Sequence, residues 1–396
     1  MSELSYMEKL LDGVEVEWKE ISEIFHLKNG YTPSKSKTEF WENGDIPWFR
    51  MDDIREHGQI LDDSLQKISM TAIKGGNLFP ADSIIMSTSA TIGEHALVTV
   101  PFLANQRFTN LSLKPTYTDR FQTKFIFYYC FLLADWCKDN TTMSSFASVD
   151  MNGFRKFQIP IPPLNVQAEI VRILDAFTEL TAELTAELTA RKQQYIYYRD
   201  QLLTFEKGEV EWELLGDVTV YEQPTKYLVK TKEYNDKFRT PVLTAGKTFI
   251  LGYTNETQGI NKASENPVII FDDFTTANKW VNFDFKVKSS AMKMIKSVDE
   301  TKVMQKYIYY WLNTLPNELT DGDHKRHWIS NFAKKEIPVP PLAEQQRIVS
   351  ILDKFDALTT SLTEGLPREI ELRQQQYEYY RELLLSFPKA EVAHHD

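Results

Sequence analysis

The sequence predicts an α+β fold in which two mixed α/β domains are separated by two long antiparallel helices, a coiled-coil spacer with a circular pseudo-two-fold arrangement. The motif IPIPPL at residues 159–164 returns as IPVPPL at residues 337–342. Each motif is followed by apolar residues at helical spacing, and each is preceded by a region with strand-like and helix-like segments. A self-match of this length indicates duplication of a half-molecule.

The two copies of this repeat also end alike. The sequence RKQQY at residues 191–195 matches RQQQY at residues 373–377, and both continue with a Tyr-Tyr-Arg element. The first residues of the chain resemble this ending, and Trp18 follows them as Trp212 follows the first copy. The order fragment, variable region, repeat, variable region, repeat is therefore circular when its ends are joined.

We predict five segments from this pattern. They are an N-terminal domain that includes a partial repeat at residues 1–13, a first helical repeat, a second domain, a second helical repeat and a tail, with the bounds 1–158, 159–205, 206–336, 337–387 and 388–396. The two variable regions share little identity beyond their edges. Similar frames with different fillings indicate two modules that perform one task on different targets.

Both variable regions are typical of mixed α/β structure. In the first, residues 83–87 and 95–100 have the composition of strands, and residues 121–137 have apolar positions at helical spacing. In the second, residues 268–271 form a predicted buried strand and residues 303–312 a predicted helix.

The composition is that of a globular protein, since 42% of the 396 residues are hydrophobic and 13% are aromatic. We expect no membrane span and no signal peptide. Cys130 and Cys137 imply no disulfide framework and fit a reducing cytoplasm. The formal charge of −11 argues against nucleic-acid binding, but residues 286–306 carry a cluster of lysines.

Each repeat begins with two prolines, which favour an extended backbone before the helix starts. A helix over residues 166–204 would be about 58 Å long at about 1.5 Å per residue. A helix that is so long, and polar on its other faces, needs a partner helix. The predicted pairing residues are Phe177, Leu180, Leu184, Leu188, Tyr195 and Leu202 in the first copy, and Phe355, Leu358, Leu362, Leu366, Ile370, Tyr377 and Leu384 in the second.

The two repeats differ in length by one four-residue step. The tetrapeptide TAEL occurs in tandem at residues 181–188, and the second repeat is four residues longer than the first. Whole steps of about 6 Å suggest that these helices measure a distance, whereas neutral slippage of a simple repeat is the alternative. The second repeat also contains Gly365-Leu366-Pro367, where we expect a kink or break because proline removes a helical hydrogen bond.

The two Pro-Pro-Leu-x-x-Gln helices, with a variable region before each, resemble the specificity subunit of type I restriction–modification systems. The resemblance covers essentially the whole chain. The segment GDIPW at residues 44–48, after Tyr31-Thr32-Pro33, resembles the opening of that family's target recognition domains. The second variable region lacks the Pro-Trp element, so it is predicted to be a divergent recognition domain.

The resemblance implies a division of labour. Each target recognition domain would read one half of a bipartite double-stranded DNA site, and the paired helices would set the unread gap. The family's specificity subunits carry no catalytic residues and dock two methyltransferase subunits, which recruit restriction and translocase subunits. We therefore expect no catalytic residue, metal or cofactor in this chain, with S-adenosylmethionine, ATP and Mg²⁺ belonging to the partner subunits.

Enzymatic alternatives have weak support in the sequence. The chain has no Asn-Pro-Pro-Tyr or Asp-Pro-Pro-Tyr tetrapeptide, which argues against an amino-methyltransferase. Residues 241–248 approach a P-loop, but Pro241 replaces its first glycine and favours a strand and turn. Asp272 and Asp273, followed by Lys279, are compatible with a metal-dependent nuclease, although a solvated turn after the strand also explains them.

Two further features allow more than one interpretation. The basic, aromatic cluster HKRHW at residues 324–328 fits a phosphate or base contact or a structural loop, while its two histidines would stand alone as metal ligands. Trp18 and Trp212 are predicted to be core anchors. A coiled-coil scaffold that binds two protein partners without reading DNA is the alternative function of another class.

The candidate DNA contacts follow from side-chain chemistry, since Arg, Lys, Asn and Gln read base edges and Ser, Thr and Lys hold phosphates. In the first variable region they are Lys28, Asn29, Tyr31, Thr32, Lys35, Lys37, Ser87, Thr88, Ser89, Asn105, Gln106 and Arg107. In the second they are Gln223, Thr225, Lys226, Lys247, Thr275, Thr276, Asn278, Lys279, Lys325 and Arg326.

Overall fold

The chain divides into two compact units, and the division crosses both helical repeats. The computed structural model describes residues 6–143, 147–244, 248–316, 326–360 and 364–388. Unit 1 comprises Met1–Ala182 and Leu372–Asp396, and unit 2 comprises Glu183–Glu371. Each unit therefore combines one variable region with parts of both repeats. Among the described residues, no helix is both long and apolar enough to cross a membrane.

The strands of unit 1 lie in its variable region and at the start of the first repeat. In chain order they are β1 (Glu17–Glu20), β2 (Phe25–Asn29), β3 (Ile46–Phe49), β4 (Ile60–Leu61), β5 (Lys67–Ile68), β6 (Ser83–Ser87), β7 (His95–Val98), β8 (Leu103–Ala104), β9 (Phe108–Leu113), β10 (Thr141–Met143), β11 (Ala147–Val149) and β12 (Gln158–Ile161). The helices of this part of the chain are α1 (Tyr6–Leu11), α2 (Ile21–Ile24), α3 (Met51–His57), α4 (Thr123–Asp139), α5 (Met151–Lys156) and α6 (Leu164–Leu202), of which α6 continues into unit 2.

Unit 1 is built on a five-stranded sheet in the order β2-β9-β6-β7-β4, and a three-stranded sheet in the order β5-β3-β8. The aromatic helix α4 packs on the larger sheet, where Phe125 and Leu133 share a core with Ile84. Met7 of α1 is buried in the same core as Phe387. The beginning and the end of the chain therefore belong to one core, as the circular arrangement predicts.

Unit 2 repeats this plan with its own strands and helices. The strands are β13 (Glu211–Leu214), β14 (Thr219–Glu222), β15 (Thr240–Leu243), β16 (Ile250–Thr254), β17 (Val268–Asp272), β18 (Asn278–Val281), β19 (Lys286–Val287), β20 (Met292–Ser297) and β21 (Glu336–Val339). The helices are α7 (Leu215–Val218), α8 (Gln305–Leu312), α9 (His327–Ser330), α10 (Leu342–Thr360) and α11 (Gly365–Leu385), of which α11 continues into unit 1.

The sheets of the two units share one strand order, to which unit 1 adds β4 at the edge of its larger sheet. The order β14-β20-β17-β18 in unit 2 matches β2-β9-β6-β7 in unit 1. The smaller sheet β16-β15-β19 matches β5-β3-β8, with one antiparallel and one parallel pair in each. At the base of each domain, Trp18 pairs with Pro160 and Trp212 pairs with Pro338 in antiparallel ladders of equal register. The duplication read from the repeats therefore extends through both variable regions.

The predicted elements are confirmed, with shifts at their ends. The predicted strands correspond to β6, β7 and β17, and the predicted helices to α4 and α8. The predicted break in the second repeat is also present, because α10 ends at Thr360 and α11 begins at Gly365. Gly365 has a φ of +78°, which favours glycine, and a Cβ there would lie 2.4 Å from the carbonyl oxygen of Ala357.

The repeats pair as antiparallel helices within each unit. In unit 1, the ring of Phe177 in α6 stacks on Tyr380 in α11, with centroids 5.4 Å apart. In unit 2, Tyr198 in α6 stacks on Phe355 in α10 at 5.7 Å. The early part of α6 thus meets the late part of the second repeat, and its late part meets the early part. The predicted pairing residues are all buried or half-buried, except Leu362, which lies outside the described residues.

Candidate DNA-recognition site

A buried glutamine joins the recognition domain of unit 1 to its helix. Gln167 is fully buried in the first turns of α6. Its Nε2 donates to the carbonyl oxygens of Pro162 and Arg120, both at 2.8 Å. Its Oε1 accepts a hydrogen bond from the backbone N–H of Gln122, also at 2.8 Å, directly before α4. The side-chain amide therefore ties the start of α6 to the start of α4.

Unit 2 contains the same joint at the equivalent glutamine. Gln345 is fully buried, and its Nε2 donates to the carbonyl oxygens of Pro340 at 2.8 Å and Lys302 at 2.9 Å. Its Oε1 accepts from the backbone N–H of Met304 at 2.8 Å, directly before α8. We call these two residues the clamp glutamines.

An aspartate in each repeat strengthens the joint about two helical turns further on. Asp175 accepts hydrogen bonds from Lys124 and from the hydroxyl of Tyr128, both at 2.7 Å. Asp353 accepts from Tyr310 in the same way. Burial, assisted by the neighbouring carboxylate, raises the pKa of Tyr128 and Tyr310, so both hydroxyls remain donors. The domains are thus held firmly on the helices that carry them.

In unit 1, one end of the large sheet brings several predicted contact residues together. Asn29 ends β2, and its Oδ1 accepts a hydrogen bond from the hydroxyl of Thr109 at 3.0 Å. The hydroxyls of Thr109 and Thr88 lie 3.0 Å apart. Ser87 and Thr88 are buried, so their side chains lie beneath this face, whereas Lys28 and Asn29 are exposed on it.

The loop at residues 28–37 packs against residues 105–107. Gly30 makes this approach possible, because a Cβ there would lie 2.2 Å from the carbonyl oxygen of Ala104. The hydroxyl of Thr32 donates to Oε1 of Gln106 at 2.5 Å. The structure therefore brings together two groups of candidates that are far apart in sequence.

These two groups line a cleft of about 510 Å³. Thr32, Lys35, Asn105, Gln106 and Arg107 are the predicted contact residues that line it. Tyr31 is not among the lining residues of the cleft. Its hydroxyl donates to the carbonyl oxygen of Ala72 and accepts from the backbone N–H of Lys74. Lys37 is exposed, with its ammonium 4.9 Å from the ring of Phe40.

The cleft also contains residues that sequence analysis missed, namely Trp41, Trp48, Arg50 and Gln66. Arg50 directly follows β3, which carries the Pro-Trp element on which the family resemblance rested. That adjacency was the available signal. Gln66 had no such signal, since it reaches the cleft only through the folding of the chain.

In unit 2, a turn and a distant segment meet at the equivalent end of the large sheet. The backbone N–H of Trp328 donates to Oδ1 of Asp273 at 2.8 Å, and that of His327 donates to the carbonyl oxygen of Asp273 at 3.0 Å. Arg326 is thereby placed beside the turn between β17 and β18. Of the predicted contact residues, Thr275 and Thr276 lie in this turn, and Asn278 and Lys279 begin β18. Thr276 is buried with a φ of +59°.

The other candidates of unit 2 lie after β14 or fall outside the described residues. Gln223, Thr225 and Lys226 are exposed, and Lys226 forms an ion pair with Glu222 at 2.6 Å. Lys247 and Lys325 lie outside the described residues, as does His324. Ser89 of unit 1, for comparison, is half-buried and bridges to Ser148.

The expectation of a solvated turn at Asp272 was wrong, because both aspartates are buried. Asp272 accepts hydrogen bonds from the backbone N–H of Phe274 and the hydroxyl of Thr275, at 2.9 and 2.6 Å. Asp273 forms an ion pair with buried Lys293 at 3.7 Å. Within the part of the chain that the structure describes, no group of three or more His, Cys, Asp or Glu residues could hold a metal ion. These carboxylates shape the turn.

The family of the chain follows from a match over most of its length. The family model described as the type I restriction modification DNA specificity domain matches residues 13–191 and again residues 209–372. The chain belongs to this family. It is a DNA-binding specificity subunit of a type I restriction–modification system, and neither a scaffold without DNA nor a metal-dependent nuclease is supported.

Relatives and solved structures agree with this assignment. The specificity subunit is 47% identical to the EcoprrI type I restriction enzyme specificity subunit of Escherichia coli, over 92% of this chain and 93% of the relative. It is 64% identical to the EcoR124I/EcoR124II specificity subunit of Escherichia coli over 46% of each chain. The crystal structure of a type I system S subunit from M. genitalium shares its fold, with 13% identity, a TM-score of 0.58 and coverage of 98% of this chain and 100% of that one.

The Pro-Trp element of this specificity subunit has a counterpart that the sequence concealed. Strand β15 occupies the position of β3, so Pro241 and Val242 correspond to Pro47 and Trp48. The near-match to a P-loop at residues 241–248 begins in β15. The strand that was predicted there is therefore present in the described residues. The missing tryptophan hid a correspondence that the backbone retains.

The lysine cluster at residues 286–306 is not an exposed basic patch. Lys286 is buried, with its ammonium 3.0 Å from the carboxylate of Glu256, and Lys293 is buried beside Asp273. Lys302 forms an ion pair with Glu213. Two lysines of the cluster are therefore neutralised inside the specificity subunit, which sequence analysis could not anticipate, whereas Lys302 is paired at the surface and Lys288 is exposed.

Proposed function

We propose that each recognition domain reads one half of a bipartite double-stranded DNA site, while the paired helices set the unread gap between the halves. Two methyltransferase subunits dock on the helical repeats and recruit restriction and translocase subunits. The chain itself is non-catalytic and holds no cofactor. S-adenosylmethionine, ATP and Mg²⁺ act in the partner subunits, and the complex works in the reducing cytoplasm.

One observation supports this proposal: the two units share one backbone framework but differ in the residues at the end of the large sheet. The clamp glutamines make the same hydrogen bonds in both units. At the end of the large sheet, the exposed amide of unit 1 lies above two buried hydroxyls, and the register-equivalent positions of unit 2 hold an exposed amide and a buried ion pair. Exposed amides can read base edges, and the buried groups beneath them differ between the units, so one shared framework with two different sheet ends predicts two unlike half-sites.

The test uses the pseudo-two-fold arrangement directly. In a variant, residues 206–336 are replaced by a second copy of residues 14–158, so that both repeats carry the first recognition domain. The complex reconstituted with methyltransferase subunits is then used to map methylated bases on a random DNA library. We expect a site made of two identical, inverted half-sites. A site with two different halves, or methylation without sequence preference, would contradict the proposal.

A second measurement separates this function from catalysis by the chain itself. The purified specificity subunit is incubated with DNA, Mg²⁺ and S-adenosylmethionine, with and without the methyltransferase subunit. Methyl transfer is expected only in the complex, and cleavage by neither. Methylation or cleavage by the lone subunit would show that the chain is an enzyme.

A further inference from the structure

We propose that the cleft of unit 1 binds the sugar–phosphate backbone of DNA, with Arg50 as its anchor, and that the described residues of unit 2 provide no equivalent of this arginine. The Arg50 cleft is defined by Thr32, Lys35, Trp48, Arg50, Gln106 and Arg107. The inference rests on the proposed function, because it assumes that this domain engages a half-site. In this proposal, one part of the domain binds the DNA backbone and another part reads the bases.

The charge of the cleft matches phosphate. Lys35, Arg50 and Arg107 line it, and Glu42 is the acidic residue among its lining residues. Among the ion pairs of the described residues, none involves Lys35 or Arg107, and both side chains are exposed. Arg50 approaches Asp52 only at 3.7 Å, and its buried Nε has no hydrogen-bond partner. Donors without acceptors at one place favour an anionic ligand.

Arg50 is held in position by its surroundings. Its backbone N–H donates to Oδ2 of Asp53 at 2.6 Å, and Asp53 is fully buried. Its guanidinium lies 5.7 Å from the ring of Trp48, whose Nε1 donates to the carbonyl oxygen of Tyr31 at 3.0 Å. The backbone from which this side chain extends is therefore fixed, and the ring of Trp48 lies on one side of the guanidinium.

The shape of the site favours the backbone over base edges. Base edges lie at the bottom of the DNA grooves, and a protein reads them with side chains that protrude from its surface. A concave surface instead accepts the convex ridge of a sugar–phosphate strand. Asn29 and Lys28, at the exposed sheet end, are suited to the first task, whereas Arg50 lies within the cleft and is suited to the second.

The equivalent place in unit 2 is built differently. Thr244 follows β15 where Arg50 follows β3, and Val242 takes the place of Trp48. Lys286 occupies the position of Leu103, but its ammonium is buried and donates to the carbonyl oxygen of Gln258 at 2.6 Å. Among the described residues of unit 2, Thr244 thus takes the place of Arg50, and Lys288, at the position of Asn105, is exposed.

The experiment measures DNA affinity of the complex with methyltransferase subunits as a function of NaCl concentration. Each phosphate contact contributes about 0.9 to the slope of log K against log salt. Arg50→Ala is expected to reduce the slope by about one and to weaken binding equally on the cognate site and on single-mismatch sites. Arg50→Lys should retain the slope. Arg55→Ala is the matched control, because Arg55 is exposed on α3 and does not line the cleft.

Three outcomes overturn backbone binding by the cleft: an unchanged slope in Arg50→Ala, a loss confined to one base pair, or an equal loss in Arg55→Ala. If Arg50→Ala does not fold, Arg107→Ala and Lys35→Ala carry the same expectation, since both side chains are exposed. A wild-type complex that discriminates no half-site would refute the proposed function instead. A complex that discriminates normally, with a slope insensitive to these variants, would refute only backbone binding by the cleft.

Discussion

Units 1 and 2 use the same frame for different surfaces. Sheet order, strand register and the clamp glutamines agree between them, although their variable regions share little sequence. The differences that bear on DNA recognition lie at the sheet ends and in the small sheet. Arg50 lines a cationic cleft in unit 1, whereas Lys286 forms an ion pair with Glu256 in unit 2. Attachment and recognition are therefore separate properties of this chain.

The largest expected effect comes from shortening α6 at the boundary between the two units. The tetrapeptide at residues 181–184 spans the division at Ala182 and Glu183. Its deletion shortens α6 by about 6 Å, somewhat less than two base-pair rises of about 3.4 Å. Both half-sites should remain the same, while the gap changes by a whole number of base pairs in a methylation-site screen. An unchanged gap would favour neutral slippage of the repeat.

The ion pair between Lys286 and Glu256 in unit 2 provides the next contrast. Lys286→Met leaves the half-buried carboxylate of Glu256 without its ammonium partner and the carbonyl oxygen of Gln258 without its donor, which costs roughly 2–3 kcal/mol. Leu103→Met at the equivalent position of unit 1 is the control and should cost less than about 1.5 kcal/mol. Urea denaturation measures both. Equal losses would mean that Lys286 contributes packing and not charge.

The clamp glutamines test whether the frame is equivalent in energy as well as in geometry. Gln167→Ala and Gln345→Ala each leave two carbonyl groups and one N–H without partners, which costs about 3 kcal/mol. We expect the two losses to agree within about 1 kcal/mol by chemical denaturation. A large difference would show that one joint is supported by neighbouring contacts that the other lacks.

A smaller contrast appears at acidic pH. His95 in β7 is buried between Phe127 and Phe131, and burial lowers its pKa from 6.5 to about 4. Because the unfolded chain binds the proton more readily, stability is complete above about pH 6.5 and falls as the pH drops toward 4. The loss is about 2 kcal/mol at pH 5, at about 1.36 kcal/mol per pKa unit.

Asn278 takes the place of His95 in unit 2 and cannot titrate. His95→Gln should therefore flatten the stability profile between pH 6.5 and 5, as followed by thermal unfolding of the chain. His26→Gln is the control, because His26 is exposed and its replacement should leave the profile unchanged. A profile that stays steep in His95→Gln would assign the acid sensitivity to other groups.

Sequence reasoning succeeded where the cause of structure is local or repeated. The paired prolines and the apolar spacing of α6 predicted the helices, and Pro367 in Gly365-Leu366-Pro367 predicted their break. It failed where partners are distant in sequence. Lys286 and Glu256 lie thirty positions apart, so their burial could not be read from a run of lysines. Sequence reasoning did not predict the cleft for the same reason. Arg50, Gln66 and Arg107 are far apart in sequence and meet only in the folded chain.

The chemistry of the clamp glutamines has a consequence for how such genes change. In each domain the glutamine bonds one carbonyl oxygen and one N–H of the backbone, next to α4 or α8. Every amino acid supplies that carbonyl, and all except proline supply that N–H. A variable region of unrelated sequence is therefore accepted whenever its helix begins at the same place. Exchange of a whole domain at the repeats would therefore leave this joint intact and change only the surface that the domain presents.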